Sequence, residues 1–226
     1  MRFIAYNGSP RGNLGITKPL IEAFGAGVAS EGARVHAFST FTLQQGGRDD
    51  ALREAFLSAD AVLVAFPIVS GTMPASVKRL FEALGELEPG TKRPTLLFLV
   101  HSAFPNSGQF GPMERYVTKI ADRLGCALGG VMCRPNMTET LEGAPTIDRE
   151  TERLVREAGA QWRKGGQLSA TLLASLAGKR HAGALGRVKH FVLAEFPLRN
   201  LTWARELLRH GSFSTRKARP DDQERR

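Results

Sequence analysis

Two stretches, "AVLVAF" (61–66) and "TLLFLV" (95–100), hold a single polar side chain between them, Thr95. A strand with one face in water alternates apolar and polar residues. A stretch that is apolar nearly throughout is covered on both faces, as in the middle of a parallel sheet. Shorter apolar runs recur at 2–6, 34–38 and 128–133. Between the runs the periodicity becomes helical, at about 17–30, 50–58, 74–87 and 112–124, with a further helix at 148–164. In 112–124, Met113, Tyr116, Val117, Ile120 and Leu124 form one stripe, Glu114, Arg115, Lys119 and Arg123 face water, and Gly125 is the stop. Strands alternating with helices imply βαβ units with right-handed crossovers and a parallel sheet.

Five strands in the first 165 of 226 residues fit an α/β, flavodoxin-like three-layer sandwich with a five-stranded parallel sheet. Ligands of such sheets bind at the carboxyl ends of the strands, near the reversal in strand order. With 42% hydrophobic and 23% charged residues the chain reads as an ordinary globular protein. No apolar run reaches membrane-spanning length, and Gly8-Ser9-Pro10 interrupts the N-terminal run too early for a signal peptide. The two cysteines, Cys126 and Cys133, have no metal-like spacing, so a cytoplasmic setting is expected.

The loops after the first, third and fourth strands are the unusual parts. The first, "NGSPRGNLGITKPL" (7–20), puts ten residues between a strand and a helix that a tight turn would join with far fewer. Its glycines allow backbone N–H groups close to an anion. Ser9, Asn13 and Thr17 are polar donors, Arg11 offers a charged fork, and Thr17 stands at the start of a helix, where negative charge is favoured. The third-strand loop opens "FPIVSGTMP" (66–74) and offers backbone groups with Ser70 and Thr72 to a flat heteroaromatic edge. The fourth, "VHSAFPNSGQFGPMERY" (100–116), is long and mixes aromatics with small polar residues, the usual mark of a working loop. His101 ends a buried strand there, a position that more often serves structure than catalysis.

Other phosphate loops fail on spacing. A Walker A sequence is absent, and no GxGxxG follows the first strand with an acid ending the second, which reads "HAFST". "GAGVAS" (25–30) imitates half of that pattern but falls within or at the end of the first helix. "AYNGSP" lacks the acids that a receiver domain places at the end of its first strand.

Taken in order, "NGSPRG…T", "P…MP…VK…EAL" and "VHSAFP…ERY…LG" resemble the flavodoxin-like NAD(P)H-dependent FMN reductases over roughly residues 1–165. The resemblance implies an FMN cofactor with NAD(P)H as co-substrate, a homodimer, and a small-molecule acceptor such as a flavin or a quinone. Carried over by position, Ser9, Arg11, Asn13 and Thr17 would contact the FMN phosphate. Pro67, Ile68, Val69, Ser70, Gly71 and Thr72 would line the ring, and His101, Ser102 and Phe104 would close the site. No side-chain acid or base is required, so no catalytic residue is assigned. The pattern departs from many relatives at Ile16, where a polar donor is usual, at Val69, where an aromatic often packs on the flavin, and at Ala75. An electron carrier and a flavin-free interaction protein are the alternatives on the same fold.

The net charge of +9 is uneven. Residues 178–226 hold 12 of the 31 basic but only 5 of the 22 acidic residues. A flavodoxin-like domain over 1–165, a helical extension over 166–212 and a basic tail over 213–226 are expected, with helices at 167–178 and 196–211. Such an arm packs on the core or a partner subunit, or makes weak contact with an acidic partner or membrane surface. Nucleic-acid binding is not expected, since the tail has few aromatics and no recognised module.

Overall fold

A parallel sheet needs helices to carry the chain back from the end of one strand to the start of the next. The computed structural model has that arrangement, and it describes residues 1–30, 37–42, 49–85, 92–104, 107–137 and 145–178. The strands are β1 (Arg2–Asn7), β2 (Ala37–Thr42), β3 (Ala61–Pro67), β4 (Thr95–His101) and β5 (Leu128–Arg134). The helices are α1 (Thr17–Ser30), α2 (Asp49–Ser58), α3 (Ala75–Leu84), α4 (Phe110–Arg123), α5 (Arg149–Gly165) and α6 (Ala170–Leu176). All strand pairs are parallel, in the order β2-β1-β3-β4-β5. The order reverses between β1 and β3, which puts the switch point of the sheet at their carboxyl ends. The chain divides into two compact units, Met1–Arg180 and His181–Arg226. The helix expected at 196–211 and the tail from 213 lie outside the described residues.

Each sheet face carries its own core. On one, Phe3, Ala5, Leu63, Ala65, Leu97 and Leu99 pack against α1, α5 and α6. On the other, Ile4, Tyr6, Val62, Val64, Phe66, Leu96, Phe98 and Val100 pack against α2, α3 and α4. Alternate residues of one strand serve opposite layers, which is why the runs at 61–66 and 95–100 show no polar face.

Three expectations need correction. The strand expected at 34–38 overlaps β2 only at Ala37 and Phe38, and residues 34–36 lie outside the described residues. β2 instead pairs with all of β1, from Arg2↔Ala37 to Asn7↔Thr42, through Ser39 and Thr40. An edge strand is held by its backbone ladder and accepts such residues where a central strand would not. In α4, Tyr116 is 44% exposed, while the buried stripe runs Phe110, Met113, Val117, Ala121 and Leu124. The helix begins two residues earlier than its pattern suggested, and Phe110 rather than Tyr116 supplies its aromatic anchor. The helix expected at 167–178 is shorter, α6, starting after the cap Ser169.

Candidate functional site

Loop 1 is organised by the residue that ends β1. Asn7 is fully buried, its Nδ2 donates to the Gly12 carbonyl at 3.1 Å and its Oδ1 accepts from the Ser9 N–H at 3.1 Å. Asn after a strand is a strong former of such local turns, and this role was not read from the sequence. The Ser9 hydroxyl accepts from the Arg11 N–H at 3.2 Å, and the Ser9 carbonyl accepts from the Gly12 N–H at 2.9 Å. A single 3₁₀ turn, Gly12–Leu14, follows. Asn13 is exposed and its Oδ1 accepts from Thr42 Oγ1 at 3.3 Å, which ties the loop to the end of β2.

Thr17 opens α1 and is completely buried. Its Oγ1 lies 2.8 Å from Nε2 of His101, which ends β4 and is 2% exposed. β3 lies between β1 and β4, so this bond carries the start of α1 over the end of β3. The His101 carbonyl in turn accepts the Ile68 N–H at 2.8 Å. Loops 1, 3 and 4 are therefore locked to one another through His101.

Loop 3 is a two-residue hairpin. Val69 and Thr72 exchange both backbone hydrogen bonds, at 2.9 and 3.0 Å, around Ser70 (φ 49°) and Gly71 (φ 80°). Positive φ at both central positions defines a type I′ turn, which suits Gly and strains Ser. Val69, Ser70, Gly71 and Thr72 are exposed, Pro67 is half-buried, and Ile68 is buried. In loop 4, Ser102 is buried and its Oγ accepts the Phe104 N–H at 3.2 Å, while Phe104 is 46% exposed. Pro105 and Asn106 lie outside the described residues.

The sequence-derived residues thus fall into a floor and a rim. Ser9, Thr17, Ile68, His101 and Ser102 are buried and bonded into the scaffold, while Arg11, Asn13, Val69, Ser70, Gly71, Thr72 and Phe104 are exposed. Leu14, which sequence reasoning passed over, is 71% exposed, the highest value among the large apolar side chains described. Five such side chains are exposed, and three of them, Leu14, Val69 and Phe104, sit on these three loops.

Behind the site, Arg134 ends β5 and pairs in register with His101. Its guanidinium donates to Thr151 Oγ1 at 2.7 and 3.0 Å and to the Leu176 carbonyl at 3.3 Å, so it fastens α5 and α6 to the sheet. The cysteines stand apart: burial pushes the Cys126 thiol up to about 11, and Cys133 Sγ lies 3.3 Å from Glu114 Oε1. Among the described residues no three His, Cys, Asp or Glu side chains are grouped to hold a metal, and no helix is long and apolar enough to cross a membrane.

No protein-family model matches the chain, and no curated protein matches it in sequence. Solved structures do match its fold. An FMN-dependent NADH-azoreductase from Bacillus anthracis, in complex with FMN, aligns at TM-score 0.56 and 10% identity over 72% of this chain and 100% of the other. An NADH:FMN oxidoreductase in its apo form aligns at 0.55 and 15%, over 79% and 96%. The Trp repressor binding protein from Bacillus subtilis aligns at 0.52 and 15%, over 71% and 96%. At these identities the likeness is one of fold, and the fold is flavodoxin-like.

Proposed function

We infer that the chain is an FMN-dependent oxidoreductase that uses NAD(P)H to reduce a small acceptor, such as a flavin, a quinone or a related electrophile. The observation that carries this reading is the placement of Leu14, Val69 and Phe104. Large apolar side chains left in water at the switch point of a sheet favour a flat apolar ligand that covers them. The ring system of FMN suits such a rim: loops 1, 3 and 4 each carry an exposed apolar side chain, and the exposed I′ turn offers its Ser70–Gly71 backbone to a heteroaromatic edge. The phosphate end offers the exposed Arg11 and Asn13 side chains.

When bound, FMN would supply the hydride chemistry between a nicotinamide and the acceptor. The chain's own residues bind and orient. His101 and Thr17 fix the floor, the I′ turn would offer its backbone groups to the ring edge, and Phe104 and Val69 would shield the ring from water. None of these groups needs to move a proton. The FMN-dependent and NADH-dependent neighbours of the same fold support the reading, and a homodimer in the cytoplasm belongs to it.

Purified protein titrated with FMN should shift the flavin absorbance, and NADPH or NADH should bleach the bound flavin under anaerobic conditions. Bleaching by dithionite but by neither nucleotide would leave an electron carrier. An unchanged flavin spectrum at high protein concentration would sink the flavin reading altogether.

A further inference from the structure

The segment that follows β5 comes out at the same carboxyl edge of the sheet as loops 1, 3 and 4. Beyond the pair His101 and Arg134 the two chain segments stay hydrogen-bonded. The Ser102 N–H donates to the Arg134 carbonyl at 3.0 Å, as a parallel ladder requires. In a regular ladder the Ser102 carbonyl would then accept from the N–H of Asn136. It accepts instead from the N–H of Met137, at 2.9 Å. Asn136 is therefore an inserted residue, and its own N–H turns to the Phe104 carbonyl at 3.3 Å. A bulge of this kind bends its strand and re-aims one side chain, and bulges are over-represented beside active sites.

The inserted residue is also strained. Asn136 has φ 60°, and among the described residues it and Ser70 are the two non-glycine residues with positive φ. Both follow strands at the carboxyl edge of the sheet. Left-handed backbone in residues other than glycine clusters at ligand sites. Asn tolerates it better than most side chains do, but glycine adopts it without cost. A glycine would serve the bulge at least as well, so what Asn136 adds is a primary amide. Pro135 and Met137 on either side are buried, while Asn136 is exposed. Among the described residues no hydrogen bond engages its amide.

We propose that Asn136 is a specificity-determining residue for the nicotinamide donor, hydrogen-bonding the carboxamide of NADH or NADPH. The inference rests on the flavin-reductase reading above and adds the residue that recognises the donor. Backbone groups for the polar edge of the flavin are already offered by the I′ turn of loop 3. Asn136 stands at the end of β5, two strands from β3 and bonded to the backbone of Phe104. Its amide is left for the molecule that comes and goes on the flavin. A carboxamide and an Asn side chain each carry one C=O and one NH2, so they pair through two hydrogen bonds.

Asn136→Gly keeps the left-handed backbone and removes the amide. Its Tm, and its FMN affinity measured by quenching of flavin fluorescence, should be at least those of wild type. The decisive measurement is kcat/KM for the natural nucleotide and for its reduced 3-acetylpyridine analogue, in which a methyl group replaces the carboxamide NH2. For the natural nucleotide kcat/KM should fall about three- to tenfold, the worth of a neutral hydrogen bond or two. The analogue should lose less. Its different intrinsic reactivity cancels when the ratio of the two donors is compared between variant and wild type. An unchanged ratio overturns the inference, even if both rates fall, and leaves the flavin-reductase reading standing. A drop in Tm or in FMN affinity would give the side chain a structural or flavin-binding role and overturn it as well. Failure of both NADH and NADPH to bleach the flavin of the wild-type protein overturns this inference together with the reading it rests on.

Discussion

The two faces of the sheet are built by different means. On the α1/α5/α6 face, α1 and α5 meet backbone to backbone: a Cβ on Gly27 would lie 1.9 Å from the Arg156 carbonyl oxygen, and one on Gly159 would lie 2.2 Å from that of Phe24. The helices there are also tied by polar side chains. Asp148 caps α5, Ser169 caps α6, Thr17 is fixed to His101, and Arg134 holds both α5 and α6. On the opposite face α3 and α4 follow Pro74 and Gln109, neither of which caps with its side chain, and packing is by large groups such as Phe66, Phe81, Phe98 and Phe110. One face is latched and the other is cushioned. The cushioned helices are those that loops 3 and 4 lead into, the loops that carry the rim residues Val69 and Phe104.

The sharpest way to break this comparison is to put volume at the helix crossing. Gly159→Leu has no space among backbone atoms that cannot rotate away, so α1 and α5 must separate. Overpacking usually costs 1–3 kcal/mol, and a clash with backbone belongs at or above the top of that range, about 3 kcal/mol. For a chain of this size that lowers Tm by roughly 6–12 °C. On the cushioned face the volume-conserving Leu84→Met should cost less than about 1.5 kcal/mol. Equal losses in the two thermal melts would show that the faces do not differ.

Next in size is Arg134. Its guanidinium is mostly shielded, with 15% of the side chain exposed, and it bridges Thr151 and the Leu176 carbonyl. Arg134→Met keeps the apolar stem but removes the donors. Hydrogen bonds to charged groups contribute about 1.5–3 kcal/mol, so a loss of about 2 kcal/mol is expected. Amide exchange should rise in α6 and in the first turn of α5, the two segments this contact fastens. Uniform exchange across the sheet would mean that Arg134 supports the whole domain instead of latching these two helices.

The latched face was the less legible one. The strand–helix alternation and the doubly covered strands at 61–66 and 95–100 could be read because burial on both faces leaves a signal in every residue. The three edge loops were also visible, because Gly, Pro and small polar residues mark departures from regular structure. The helix crossing was not. "GAGVAS" was correctly placed in the first helix, but a glycine in a helix names no partner, and Gly159 lies 132 positions further along the chain. The Thr17–His101 bond spans 84 positions and joins residue types common in many settings. Tyr116 was misassigned because an aromatic near an amphipathic stripe counts as apolar by pattern, while Phe110 had already taken the buried place. Leu14 was missed because exposure of a single apolar residue inside a polar loop has no periodicity to betray it.

The smallest effect concerns the cap of α5. Asp148 accepts from the Thr151 N–H at 2.9 Å and from the Thr151 hydroxyl at 2.5 Å, and Arg134 Nη2 stands 4.0 Å away. Burial alone would push its carboxyl up. The Thr151 bonds and the Arg134 charge outweigh that and hold it below its ordinary value. A depressed carboxyl contributes stability above its unfolded value near pH 4, and the contribution is lost as the pH falls through the lower, folded value. With 60% of the side chain exposed, solvent screens most of the charge, and the cap geometry is the larger part. Asp148→Ala should therefore cost about 1 kcal/mol at neutral pH, within the usual range for an N-cap. Asp148→Asn, which can still accept the Thr151 N–H, should recover most of that loss. The remaining gap between Asn and Asp should be present at pH 7 and shrink below about pH 4. Denaturant melts of the three proteins at both pH values measure this. If Asn were no better than Ala, the charge rather than the cap would hold the start of α5. A loss as large with Gln109→Ala would put caps of equal strength on both faces and remove the distinction between them.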